Sequence, residues 1–171
     1  MAVELQVTLT VPQAMAVLWH DAVYVPGLDK GVNDKASALL MRDQMLRDGW
    51  LDFEAGCQIA DSAASIILDT VEHVPSTEVA KIVLDLDLHR LAVEASIFEK
   101  HATEIYTEYA TLLMRTPDPA LAWRSGRAAV YESFLARDRI YHSDSCAIWE
   151  GPARRNLECG LRTLRDGGAD V

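Results

Sequence analysis

Gln13-Ala14-Met15-Ala16-Val17-Leu18-Trp19-His20-Asp21-Ala22-Val23-Tyr24-Val25 is where the chain turns from a strand pattern to a helical one. Just before it, Val3-Glu4-Leu5-Gln6-Val7-Thr8-Leu9-Thr10-Val11 alternates apolar and polar residues, is rich in β-branched side chains and stops at Pro12. With no partner strand readable elsewhere, Val3 to Val11 is expected as a short extended N-terminal arm. From Gln13 the first helix is expected to reach Val25 and to end at Pro26-Gly27.

Five more helical stretches follow, so the spacing of apolar residues predicts an all-α fold of about six helices. Asn33 is the expected N-cap of the second, whose Ala36, Leu39, Leu40 and Leu46 recur at helical spacing until Gly49. A third is expected over Phe53 to His73, finishing before Pro75 because the residue preceding proline avoids the helical region. Leu84 to Met114 reads as a short helix merging or bending into a longer one, closed by Pro117 and Pro119. Ala120 to Tyr141 and Pro152 to Leu164 supply the last two.

A length of 171 residues, half of them hydrophobic, fits one globular domain over residues 1–171 with a real core. The net charge of -10 argues against nucleic-acid polymers and anionic membranes as partners, because the mean field repels polyanions. Cys57, Cys146 and Cys159 are odd in number and fit no close metal spacing, which predicts reduced core thiols and a cytoplasmic protein. No basic leader and no apolar run near the roughly 18 residues of a membrane span is readable.

The chemistry is concentrated in His20-Asp21, His73 and Asp87. Imidazole and carboxylate donors together can hold a divalent metal, yet neighbours on a helix diverge by about 100°, so His20 and Asp21 alone read first as an ordinary buried hydrogen-bonded pair and second as ligands. His73 follows an apolar helix, where a histidine also interacts with the helix dipole. Asp85 and Asp87 stand between leucines, so at least one should meet a cation or helix N–H groups, with N-capping by Asp85 the simplest account. Arg124 and Arg127 flank an apolar stripe and could clamp phosphate, or be solvated.

These residues fall in an order that resembles the predicted metal-dependent phosphohydrolases of the HD superfamily. The matching elements are Leu18-Trp19-His20-Asp21-Ala22-Val23-Tyr24, Asn33-Asp34-Lys35-Ala36-Ser37-Ala38, Thr70 to His73 and Asp85 to Leu88. Glu108-Tyr109 and Ala153-Arg154-Arg155-Asn156-Leu157 complete the match over nearly the whole chain. The resemblance implies an HD-type helical bundle with a divalent ion (Mn, Fe, Zn or Mg) held by His20, Asp21 and Asp87, with Asp85 the fallback. His73 would be a further ligand or face phosphate. Asp21 or Asp34 would handle the proton during hydrolysis of a small phosphorylated substrate, a nucleotide or another phosphoester. Asp34 stands where the family carries a longer glutamate, Tyr106 replaces a usual arginine and Ala92 a usual glycine.

The family's preceding helical region, with its histidine-rich element and first metal ligand, has no counterpart before His20. The resemblance therefore implies an N-terminally abbreviated, impaired hydrolase with a misassigned or truncated start, a hydrolase whose first ligand comes from another subunit, or a degenerate, non-catalytic interaction module that keeps the HD fold. In a complete bundle that region would cover Val17, Leu18 and Trp19. Its lack predicts a homo-oligomer in which Val3 to Val11 or the exposed groove meets a second chain.

Overall fold

A computed structural model of the chain describes residues 7–167. Every regular element among them is helical, so the all-α expectation holds, with seven α-helices in place of about six. Among the described residues no helix is long and apolar enough to cross a membrane. The chain divides into two compact units, one ending at Asp87 and the other beginning at Leu88.

The N-terminal unit comprises α1 (Val11–Trp19), α2 (Val32–Arg47), α3 (Glu54–Asp69) and α4 (Glu78–Asp87), with a 3-10 turn at Trp50–Asp52. Helix α3 packs against α1, α2 and α4, and the core between them is Ala16, Ala38, Met41, Met45, Ala60, Ala63, Ile66, Ile67, Ala80, Val83 and Leu84. Small side chains at the crossings let backbones come close. At Gly56 a Cβ would lie 1.8 Å from the Trp50 carbonyl oxygen, so only glycine lets α3 begin against that turn.

The strand pattern is corrected in part. Val7 to Thr10 is irregular, Val11 already belongs to α1, and Pro12 sits in the helix's first turn, where its missing N–H costs nothing. Val3 to Gln6 lies outside the described residues. Helix α1 also stops at Trp19, six residues short of Val25, because α2 offers the backbone other partners. Ser37 Oγ accepts from the Val23 N–H at 3.0 Å, and Asn33 Oδ1 accepts from the Val25 N–H at 3.0 Å while its Nδ2 donates to the Val25 carbonyl at 3.1 Å. Asn33 is thus a clamp inside α2 and not its N-cap, which is Gly31 at φ 79°.

Two further boundaries move for similar reasons. Helix α3 ends at Asp69, since Thr70 Oγ1 turns back to the Ile67 carbonyl at 2.7 Å and Asp69 accepts from both the N–H and the hydroxyl of Ser76 at 2.8 Å. Asp85 lies within α4, seven residues after its start, fully buried and not an N-cap.

The C-terminal unit comprises a 3-10 turn at Leu88–Leu91, then α5 (Ala95–Leu113), α6 (Pro119–Leu135), a 3-10 stretch at Asp144–Trp149 and α7 (Glu150–Arg165). Helix α6 packs on both α5 and α7. The buried residues of the C-terminal unit include Phe98, Trp123, Tyr131, Phe134, Tyr141 and Trp149. Gly160 is where α7 meets the Tyr131 ring, 2.8 Å from where a Cβ would stand.

The short helix expected to merge or bend into a longer one between Leu84 and Met114 instead gives way to a 3-10 turn and an irregular stretch before α5, where Asn156 Nδ2 takes the Leu91 and Val93 carbonyls at 2.9 and 2.8 Å. Helix α6 ends before Tyr141 because Arg154 donates to the carbonyls of Leu135, Arg137 and Asp138, while its partner Glu150 accepts the Ile140 and Tyr141 N–H groups. Of the three free cysteines only Cys146 is fully buried, and Cys159 is exposed, contrary to the expectation of three core thiols.

Candidate functional site

His20 is the first residue past α1, and its ring is fixed from both sides. Nδ1 lies 3.0 Å from the Val17 carbonyl, which can only accept, so Nδ1 carries a proton and Nε2 is directed toward the carboxylates. Nε2 lies 3.3 Å from Asp21 Oδ2 and 3.2 Å from Asp87 Oδ1. The second Asp87 oxygen is 3.0 Å from His73 Nε2. One carboxylate at the end of α4 thus joins two imidazoles delivered by the ends of α1 and α3. These are four of the residues expected at the site, brought together within one unit.

Burial separates their roles. The side chains of His20, His73 and Asp87 are 20 to 23% exposed, whereas that of Asp21 is 71% exposed. Hydrogen bonds donated by His20 to the Asp21 and Asp87 carboxylates outweigh the burial of His20 and hold its pKa up at about 10, so the ring is an imidazolium at neutral pH. Burial alone would raise the Asp87 pKa, but hydrogen bonds from His20 and His73 prevail and push it well below the usual carboxylate range.

His73 stands in the left-handed region at φ 48°, a conformation that costs a non-glycine residue about 1–2 kcal/mol. Its N–H bonds to the Thr70 carbonyl at 3.3 Å, and Thr70 Oγ1 donates to Asp34 Oδ1 at 3.1 Å. The same turn therefore sets the His73 ring against Asp87 and restrains Asp34 on α2. Asp85, two residues before Asp87 and about 200° away round α4, is buried elsewhere, so Asp87 is the aspartate that meets the histidines.

The donor chemistry fits a divalent metal: two imidazole Nε2 atoms, one of them with its Nδ1–H anchored on a carbonyl, and two carboxylates. Ligand atoms about 2.1 Å from an ion lie roughly 3.0 to 3.4 Å from one another in octahedral or tetrahedral arrangements, the separations found among these pairs. The pairs nevertheless face one another as hydrogen bonds, and among the described residues no three such side chains are arranged together to hold an ion.

Residues that sequence reasoning passed over as site builders are Ser37 and Asn33, four apart on α2, which pin the backbone leaving Asp21. In the C-terminal unit Arg154 and Asn156 bind main-chain carbonyls in the same way. Each lies in an element quoted above for the family resemblance, but without the partner backbone in view the elements suggest chemistry more readily than scaffolding. Arg124 and Arg127 lie on α6, in the C-terminal unit. No protein-family model, curated protein or solved structure matches this chain.

Proposed function

We propose that the chain is a metal-dependent phosphohydrolase of HD type, acting on a small phosphorylated substrate in the cytoplasm. The observation that carries the reading is Asp87 bridging His20 and His73, with Asp21 at the open edge. His20, Asp21, His73 and Asp87 would hold the metal. When bound, a divalent ion supplies polarisation of a phosphoryl oxygen and acidification of water. The chain's own part is to position and to move protons. Val17 keeps the His20 ring oriented through Nδ1, and Asp87 is kept ionised by both imidazoles. Asp21, the most exposed of the four, can accept a proton from the attacking water, or Asp34, restrained by Thr70, can do so.

Binding requires Nε2 of His20 to give up its proton, so Mn²⁺ affinity should rise with pH. Calorimetric titration of the metal-free protein with Mn²⁺ tests this, beside metal-dependent turnover of a chromogenic phosphoester. Asp87→Asn should weaken Mn²⁺ by at least about tenfold. Asp21→Asn should lower turnover more than it lowers Mn²⁺ affinity. The second reading is a non-catalytic HD-fold module whose His–Asp pairs serve only as a structural lock, favoured by their mutual hydrogen bonding. Equal Mn²⁺ binding by wild type and Asp87→Asn would leave that reading standing and remove the first. In either case exposed Leu18, Leu39 and Phe53 support self-association, which light scattering measures.

A further inference from the structure

The charge of this chain is unevenly placed along it. Residues 3–87, the N-terminal unit, carry 14 of the 26 acidic side chains and five of the 16 basic ones, so nearly all of the net charge of -10 belongs to them. Four of those five cations are held in ion pairs inside the unit, Lys30 with Glu72, Arg42 with Asp61, Arg47 with Asp43 and Lys81 with Glu78, which leaves only Lys35. Most of the large apolar side chains left exposed among the described residues lie in the same unit.

The two properties coincide where α2 runs into α3. Leu39 and Leu46, 68 and 57% exposed, are seven residues apart on α2 and therefore share one face, about 10.5 Å from each other. Gly49 at φ 75° then turns the chain, its N–H on the Leu46 carbonyl at 3.1 Å, and the Phe53 N–H meets the Trp50 carbonyl at 3.4 Å. Trp50 and Phe53 stand on this turn, 44 and 68% exposed, and the turn is fixed because the Trp50 carbonyl is lodged against Gly56. Asp48 and Asp52 flank it, both exposed and neither with a cationic partner among the described residues. Asp48 closes the C-terminal end of α2, where the helix dipole already concentrates negative charge, and its carboxylate accepts only from Gln44.

We propose that this surface docks a cationic amphipathic helix of a partner protein, its apolar face on Leu39, Leu46, Trp50 and Phe53 and its lysines or arginines toward Asp48 and Asp52. Exposure alone would suit any apolar occupant, a second copy of this chain included, and the charge decides between them. An isologous pair would set this acidic unit against itself, whereas a cationic helix brings the compensation that Asp48 and Asp52 lack. Anchors seven residues apart on α2 match the two-turn repeat of a helix laid alongside it. Trp50 adds a ring face on which a lysine or arginine can rest. The proposal does not depend on any reading of the His20 and Asp87 cluster.

The probe is a labelled peptide of leucine and lysine, patterned as an amphipathic helix of about four turns, with two counterparts carrying glutamate for lysine or serine for leucine. Fluorescence anisotropy follows each against the full-length protein at about 0.15 M salt, where long-range attraction is screened. The peptide of leucine and lysine should saturate at one per chain, the peptide of serine and lysine should bind at least about tenfold more weakly, and the peptide with glutamate should not bind. Leu46→Ser with Phe53→Ser should lower affinity at least about tenfold. Asp48→Asn with Asp52→Asn should lower it about fivefold, whereas Asp29→Asn with Glu78→Gln, which removes the same charge elsewhere in the unit, should leave it unchanged. Circular dichroism checks that each variant is folded, and the wild-type ranking of the three peptides decides even where one is not. Equal binding of the two lysine peptides, equal losses in the two charge-removing variants, or wild-type affinity in the folded Leu46→Ser, Phe53→Ser variant would each overturn the proposal. So would a dimer in light scattering that this last variant loses, which would give the surface to a second copy.

Discussion

The two units solve the same problem, burying the faces of short helices, with opposite materials. Five of the eleven core residues of the N-terminal unit are alanines and none is aromatic, whereas six aromatic side chains are buried in the C-terminal unit. Small side chains, the alanines and Gly56 among them, bring backbones together, and side chains from three helix ends meet at Asp87. In the C-terminal unit the Tyr131 ring lies directly on Gly160 where α6 meets α7, while a cleft remains between α5 and α6. The alanine-rich unit thus presents a polar cluster at its helix ends, and the aromatic-rich one presents an apolar cleft between two of its helices.

Truncating a ring in the aromatic core should therefore do the most damage. Trp149 is 8% exposed and packs against both His89 and Tyr141, with ring centres at 4.6 and 5.5 Å. Trp149→Ala should cost about 3–5 kcal/mol in urea unfolding, since rigid neighbours collapse little into the space. The alanine core should fail in the reverse direction. Ala63→Leu adds volume where none is free and should cost about 1–3 kcal/mol. Enlargement tolerated at Ala63 would mean that the close approach of these helices is not what the alanines secure.

Acidity provides the next test, confined to the polar cluster. His20 has its pKa raised from 6.5 to about 10, so its contribution to stability is fully present below about pH 6.5 and is lost as pH rises toward 10. Asp87 is shifted downward, so its contribution is present above its unfolded value of 3.8 and is lost as pH falls below that. The metal-free protein should accordingly be most stable between about pH 4 and 6.5. His20→Gln should flatten the decline on the alkaline side, measured as urea midpoints from pH 6 to 9. The same slope in wild type and variant would place the titrating group elsewhere.

The sequence made the helices legible because their apolar spacing is local, and it brought His20, Asp21, His73 and Asp87 forward because few other residue types combine metal affinity with so apolar a setting. It did not make the helix ends legible. Val23 to Val25 leaves the helix because Ser37 and Asn33 satisfy its backbone, and residues 88–94 do so because Asn156 takes two of their carbonyls. Such boundaries depend on contacts between residues far apart in sequence, which periodicity does not encode. The same cause hid the division of labour between Asp85 and Asp87. Both stand among leucines, and only the placement of α4 turns one into the core and the other toward the histidines.

The smallest effect concerns one backbone angle and tests how firmly the N-terminal unit holds its cluster. His73 at φ 48° is kept left-handed by a turn whose bonds run from the His73 N–H to Thr70 and from the Ser76 N–H to Asp69. His73→Ala and His73→Gly both remove the imidazole and leave Asp87 with His20 alone, so the loss of that contact cancels between them. What remains is the backbone. Glycine relieves the left-handed cost of about 1–2 kcal/mol but loses roughly 0.5–1 kcal/mol more than alanine when ordered. The glycine variant should therefore be the more stable of the two by about 0.5–1 kcal/mol, read from urea midpoints at pH 6. Alanine equal to or better than glycine would mean that the turn relaxes to negative φ once the ring is gone. It would then be the contact with Asp87, and not the turn, that holds His73 in this conformation.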